Sequence, residues 1–390
     1  MPGHISKRGK DSWTVVLDHG HDPVTGKRRQ LRRSVKGARR DAEAALVQLL
    51  HQRDSGIDAP PAKLAVGEYL QRWLEDYAKG NTAPRTFQRY DEIVRLHLIP
   101  ALGAILLAKL RPQHIQAYYS KARQSGRVDG KVGGLSAQTV LHHHRLLREA
   151  LHHAVRWQLL ARNPADAVEA PRPQRHEMRV LTPEGVQRLL AACRDPDFYS
   201  IVFVAVATGL RLGELLALRW SDVDLKGGSV HVTRTLQYVL GQGLMFREPK
   251  TSRSRRNVSL SRDTVAVLGE HRRRQLERRL AVGPAYEDQG LVFAGPAGKP
   301  IPPYSVSQRF ATLVKAADIG PLRFHDLRHT SATLMLSAGV HPKIVSERLG
   351  HSGVAITLDT YSHVLPGLQE EAANLLDAFL TGPRQDVRRS

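Results

Sequence analysis

Two proline-rich breaks constrain this chain more than any other feature. Pro60-Pro61 interrupts it once, and PRPQRHEMRV (171–180) interrupts it again. Proline fixes its own φ and turns the preceding residue away from the helical region, so neither stretch continues a helix or a central strand. A chain of 390 residues is also too long for one ordinary domain. It therefore divides into three segments, each with its own periodicity.

Residues 1–56 form the first. WTVVL (13–17) and RRQLRRSV (28–35) read as strands around a turn in DHGHDPVTGK (18–27). ARRDAEAALVQLLHQRDSG (38–56) follows, with Ala42, Ala45, Leu46, Leu49 and Leu50 at helical spacing and Gly56 in place to close the helix. Residues 1–40 hold 11 Lys/Arg against Asp11, Asp18 and Asp22. A basic sheet over a short helix suits DNA, and a solvated positive surface accounts for the same charges equally well.

Residues 64–170 read as all-helical. LAVGEYLQRWLEDYAK (64–79) places Leu70, Trp73, Leu74 and Tyr77 along one face. Further helices fit 84–98, 112–125 and 136–160, with Pro84 and Pro112 in first turns and Ser136 as an N-cap. Arg85, Arg89, Arg95, Lys121 and Arg123 are either phosphate contacts or solvent-facing charges. The run HHH at 142–144 invites a metal site, but consecutive helix residues point in different directions and cannot converge on one ion. An exposed or groove-lining run is expected there.

Residues 180–380 change character: helices, then strands such as SVHVTRTL (229–236), then helices again. The expected fold is thus multidomain and mostly α: a small basic sheet with a helix, a helical domain, and an α+β domain.

The net charge of +21 calls for a polyanionic partner, nucleic acid or an anionic membrane. The longest apolar run, IVFVAVA (201–207), is far too short to span a bilayer, and MPGHISKRGK lacks the apolar segment of a signal peptide. One cysteine, Cys193, allows neither an intrachain disulfide nor a cysteine-cluster zinc site, so a cytoplasmic setting is expected.

The residues suited to phosphate chemistry gather in the last segment. In ATGLRLGELLALRW (207–220), Arg211 and Glu214 share a helix face, so the carboxylate can hold the guanidinium in one orientation. An ordinary surface ion pair has the same spacing. Lys250 sits near the polar tip of REPKTSRSRRNVSL (247–260), where a lysine can reach a ligand or simply meet solvent. In RFHDLRHTSATLMLSAGV (323–340), His325 and Arg328 lie three apart at a helix start, a setting that attracts anions. His329 is expected to point elsewhere, as a surface or packing histidine. His351 follows Gly350 just past another helix end. Tyr361 lies on a short segment that Ser352 is placed to cap; taken alone, it reads as a packing tyrosine.

In this order, Arg211, Lys250, His325, Arg328, His351 and Tyr361 resemble the catalytic set of the tyrosine recombinases, or phage-type integrases. The resemblance is strongest over 180–365 and extends more loosely to 64–170, which looks like the family's helical core-binding domain. Residues 1–56 look like its arm-binding module. The resemblance implies a site-specific recombinase that integrates and excises a phage or integrative element. It needs no metal or cofactor. It acts on double-stranded DNA, at core and arm-type sites, as a homo-tetramer on two duplexes, with accessory directionality or DNA-bending proteins. Tyr361 would attack a phosphodiester and form a 3′-phosphotyrosyl bond. Arg211, Arg328 and His351 would hold the phosphate oxygens, and His325 would serve as a base or a further phosphate donor. Lys250 would protonate the leaving 5′ oxygen, and Glu214 would support Arg211. The helical stripe Leu368, Ala372, Leu375, Leu376 and Phe379 would dock on a neighbouring subunit or on its own domain. Rival readings are a type IB topoisomerase-like enzyme, a DNA-binding regulator without activity, and a metal nuclease.

Overall fold

The computed structural model describes residues 3–21, 28–54, 63–174, 178–248 and 255–361, with residues 373, 374, 376, 377 and 380 beyond them. The chain forms two compact units, Met1–Arg175 and His176–Ser390.

The first unit begins with an antiparallel sheet of strands Gly3–Gly9, Ser12–His21 and Arg28–Lys36. The first of these strands is additional to the two expected from sequence. GHISKRG carries a single large apolar residue, Ile5, so its alternation is too weak to register. The helix Arg39–Asp54 packs on this sheet through Ala42 and Leu49, which meet Val15 and Leu17 in a small core of their own.

A separate helical core follows. The helix Val66–Trp73 runs on through the π-helical stretch Leu74–Ala78, and Pro84–Ile93 through Val94–Leu98. Pro112–Ser125 and Ala137–Arg156 complete it, the latter capped by the Ser136 side chain accepting from Thr139 N–H. Trp73, Leu70, Val94, Leu98, Leu147 and Leu151 lie at its centre. Two residues of the HHH run contradict the expected exposure. His143 and His144 are buried, and their Nδ1 atoms lie 2.6 and 2.9 Å from the hydroxyls of Tyr118 and Tyr119. Each faces a different tyrosine, as the turn of a helix requires. A buried imidazole is tolerated here because a phenol satisfies it.

In the second unit, helices Pro196–Thr208 and Arg262–Val282 pack beside two small sheets. SVHVTRTL is not one strand. Ser229–Val232 pairs with Val223–Asp224 and Arg256–Ser259, whereas Thr235–Val239 forms a separate hairpin with Gly243–Arg247. The helices Asp326–Ser337, Pro342–Leu349 and Val354–Tyr361 follow, and a satellite core of Ala332, Leu336, Val345, Leu349 and Tyr361 ties them together. The helix bearing Tyr361 opens at Val354, so Gly353, not Ser352, immediately precedes it. Among the described residues, no helix is long and apolar enough to cross a membrane.

Candidate active site

Two glycine turns set the site. Gly209 ends one helix at φ +66°, and a Cβ there would stand 2.5 Å from the Leu349 side chain. Gly350 ends another at φ +68°, and a Cβ there would press on the Arg256 guanidinium at 2.9 Å. Both the left-handed backbone and the close approach demand glycine. The first turn delivers Arg211 and the second delivers His351.

Arg328 fastens these turns together. It is 4% exposed, and its guanidinium donates from Nη1 to Gly209 O at 2.8 Å and from Nη2 to Leu349 O at 2.7 Å. Burial and the nearby Arg211 lower its pKa, but an arginine so placed keeps its charge at neutral pH. Arg328 is thus a structural staple as well as a cation at the site.

Arg211 is held by Glu214. The carboxylate accepts Arg211 N–H through Oε2 at 3.0 Å and Arg211 Nη1 through Oε1 at 2.8 Å. A second cation, Arg256, donates from Nη2 to Glu214 Oε2 at 2.8 Å and from Nε to Arg348 O at 2.7 Å. Burial alone would raise the pKa of Glu214, but the bonds from Arg256 and the charge of Arg211 outweigh it and hold the carboxyl below its usual value. Arg211 itself keeps a side chain 41% exposed, so its free donors face solvent where a ligand would stand. The surface ion pair that spacing alone allowed is instead half buried and fixed from behind.

Arg211, His325, Arg328, His329, His351 and Tyr361 line one pocket of about 350 Å³. His351 Nδ1 lies 2.8 Å from Thr357 Oγ1, which orients the ring. Burial, Arg328 and Arg211 push its pKa down to about 4. His325 is exposed. The surrounding protein mass, with His329, Arg328 and Arg211, pushes its pKa down to about 4 as well. Both rings are therefore neutral at pH 7, and each keeps one N–H to donate.

Tyr361 is 1% exposed. Burial lifts its phenol to about 12, against a smaller lowering by Arg328. Its hydroxyl lies 2.7 Å from His329 Nδ1. This corrects the expectation that His329 points elsewhere. His325 and His329 are four apart on one helix and share a face, and their rings meet edge to face at 5.2 Å between centroids. That spacing was the available signal. Arg256 was missed for a different reason: nothing local separates it from the other arginines of SRSRRNVSL, because its partners lie 42 and 92 positions away.

Lys250 lies outside the described residues, as do Leu368, Ala372, Leu375 and Phe379 of the tail stripe. Among the described residues, no group of three or more His, Cys, Asp or Glu side chains is arranged to hold a metal ion.

Comparison with known proteins agrees with this architecture. Residues 179–367 match the phage integrase family, and residues 65–122 match the phage integrase N-terminal SAM-like domain. A tyrosine recombinase XerC-like protein of Caldanaerobacter subterraneus subsp. tengcongensis is 28% identical, over 96% of this chain and 98% of its own. The ICEBs1 integrase of Bacillus subtilis is 26% identical, over 96% of this chain and 100% of its own. Among solved structures, the Tn1549 transposon integrase in complex with a circular intermediate DNA superposes with a TM-score of 0.67 at 20% identity, covering 80% of this chain and 99% of that one. The chain belongs to the phage integrase family, the tyrosine-type site-specific DNA recombinases.

Proposed function

We propose that this recombinase cuts and rejoins DNA at Tyr361, integrating and excising a mobile element, with Arg211, Arg328, His325 and His351 holding the scissile phosphate. The observation that carries the reading is one pocket in which a buried phenol faces two arginines and neutral imidazoles.

A phosphate entering this pocket meets the exposed fork of Arg211 and the remaining donors of Arg328. Both side chains bring planar guanidinium donors, which meet the charge that grows as the phosphorane forms. His351, oriented by Thr357, and His325 each add an N–H. The Tyr361 oxygen attacks phosphorus and the 5′ oxygen leaves. Lys250, carried on the segment after the hairpin, is the acid for that oxygen. The 3′-phosphotyrosyl bond conserves the phosphodiester energy, so rejoining to another 5′ hydroxyl needs no nucleotide cofactor.

Each chain carries one such nucleophile. Recombining two duplexes breaks four strands, which matches a homo-tetramer in which each copy cuts once. Residues 64–170 form the module that grips the core site, and 180–380 the catalytic domain with its tail. The basic sheet of residues 1–56 reads separate arm-type sites, with accessory directionality or DNA-bending proteins completing the assembly. The cell compartment is the cytoplasm, where the element's DNA is.

The test is covalent trapping. In EDTA, the full chain is expected to form a covalent adduct with a nicked core duplex that releases a 5′ hydroxyl. Tyr361→Phe should form none while binding the duplex with unchanged affinity, because only an oxygen is removed. An adduct in the Phe variant would show that another residue is the nucleophile; cutting that leaves no adduct and stops in EDTA would favour a metal nuclease.

A further inference from the structure

With His325 placed on the phosphate, the Tyr361 proton still needs a destination. A phenol 1% exposed, with its pKa raised to about 12, does not ionise into bulk water at neutral pH. It needs a base in contact with its oxygen. Among the described residues, the hydrogen bond of that hydroxyl goes to His329 Nδ1, at 2.7 Å.

The geometry points to His329 as the general base that takes the Tyr361 proton in cleavage and returns it in rejoining. This rests on Tyr361 being the nucleophile. His329 occupies the first turn of the helix Asp326–Ser337, one residue after Arg328, so the helix that positions the phosphate-binding arginine also positions the base. The charged and titratable groups around it are Asp326, Arg328 and Arg323 on the same turn or just before it, His325 edge to face at 5.2 Å, and Tyr361 from the last helix. Burial, more than these charges, lowers its pKa. The ring is thus neutral at pH 7, and with its proton on Nε2 it offers the Nδ1 lone pair to the phenol.

In the forward step, the Tyr361 O–H bond breaks as the O–P bond forms, and the proton passes to Nδ1. The P–O5′ bond breaks, and that oxygen takes its proton from the acid assigned to Lys250. The imidazolium forms beside Asp326 and the bound phosphate, both of which favour it. In rejoining, a 5′ hydroxyl attacks phosphorus and gives its proton to the Lys250 amine. The Tyr361 O–P bond breaks, and His329 returns its proton to the phenolate.

The measurement is the single-turnover rate of adduct formation between pH 5 and 9 on a nicked core duplex, with the full chain. His329→Asn places an amide oxygen near the Nδ1 position. It can accept the phenol's hydrogen bond but cannot take its proton. We expect it to be slower by about a hundredfold or more at pH 7, the usual range for losing a general base, and its rate to climb with hydroxide across the whole interval. The wild type should instead level off above the histidine range. Equilibrium binding of the duplex confirms that each variant folds, and His329→Gln substitutes if the Asn variant fails to bind. A rate within threefold of wild type, with an unchanged pH profile, would show that His329 only holds the ring and would overturn the proposal. So would a hydroxide-dependent climb in His325→Ala, which would make His325 the base. Failure of the underlying reading looks different: an adduct in Tyr361→Phe, whatever residue 329 is.

Discussion

Glu214 and Arg256 form a buried ion pair in which Nη2 meets Oε2 at 2.8 Å and each side chain is 6% exposed. The same carboxylate grips Arg211, so a residue far along the chain from Arg211 sets the direction of its guanidinium. Arg256→Ala leaves this carboxylate buried with one cation instead of two. It should destabilise the second unit by about 3 kcal/mol, the lower end for breaking a buried pair because Arg211 remains. Cleavage should slow while core-site binding persists. Hydrogen exchange of the helix Pro196–Thr208 in graded urea measures the first effect; a loss below about 1 kcal/mol would mean that the pair does not support this wall of the pocket.

Arg211 and Arg328 should separate in their effects. Either alanine variant is expected to slow cleavage about a hundredfold or more, the scale for losing one donor to a transition-state oxyanion. Arg328→Ala should also free the buried carbonyls of Gly209 and Leu349, a stability cost that Arg211→Ala does not share; each buried group left unpaired costs about 1–3 kcal/mol. Lysine at 211 should restore activity only in part, since an ammonium lacks the paired fork. Full activity in Arg211→Lys would argue against two-point phosphate binding.

Lys250→Ala should block cleavage of ordinary DNA yet spare a substrate whose bridging 5′ oxygen is replaced by sulfur. A thiolate leaves without protonation, so loss of a general acid no longer matters. Rates of adduct formation on the two duplexes decide it. Equal defects on both would make Lys250 a DNA contact and not the proton donor.

The helical core of the first unit should weaken in mild acid. Burial lowers the His143 pKa from 6.5 to about 4, with His97 and His142 adding to it, and His97, His144 and His153 shift the same way. A depressed histidine is neutral in the fold but charges when unfolded. Stability is therefore complete above pH 6.5 and falls as pH drops from 6.5 toward 4. At about 1.4 kcal/mol per pKa unit, His143 alone accounts for about 3 kcal/mol. Protection of the helix Ala137–Arg156 against hydrogen exchange should fall between pH 6.5 and 4.5, and His143→Gln should flatten that decline. Constant protection across the range would refute it.

Much of this molecule was legible from one-dimensional signals. Helix starts at Pro112 and Ser136 stood where proline and a capping serine put them. The spacing of Arg211 and Glu214 pairs them, and the 2.8 Å bond between their side chains agrees. The strand Gly3–Gly9 and the split of SVHVTRTL into two sheets were not legible. Strand pairing depends on partners, and a short basic or polar strand carries little alternation of its own.

The sequence by itself determined the proline breaks, the basic charge, the helical registers and the order of the reactive side chains, because proline geometry, periodicity and net charge are local or additive properties. Only the tertiary structure decided which groups touch. It turned Arg328 into a clasp between the Gly209 and Gly350 turns, seated Arg256 behind Glu214, and set His329 against the Tyr361 hydroxyl. These contacts join residues 21 to 119 positions apart. Distance along a chain says nothing of distance in space until the helices have packed, and the protonation of each group follows from the burial that packing creates.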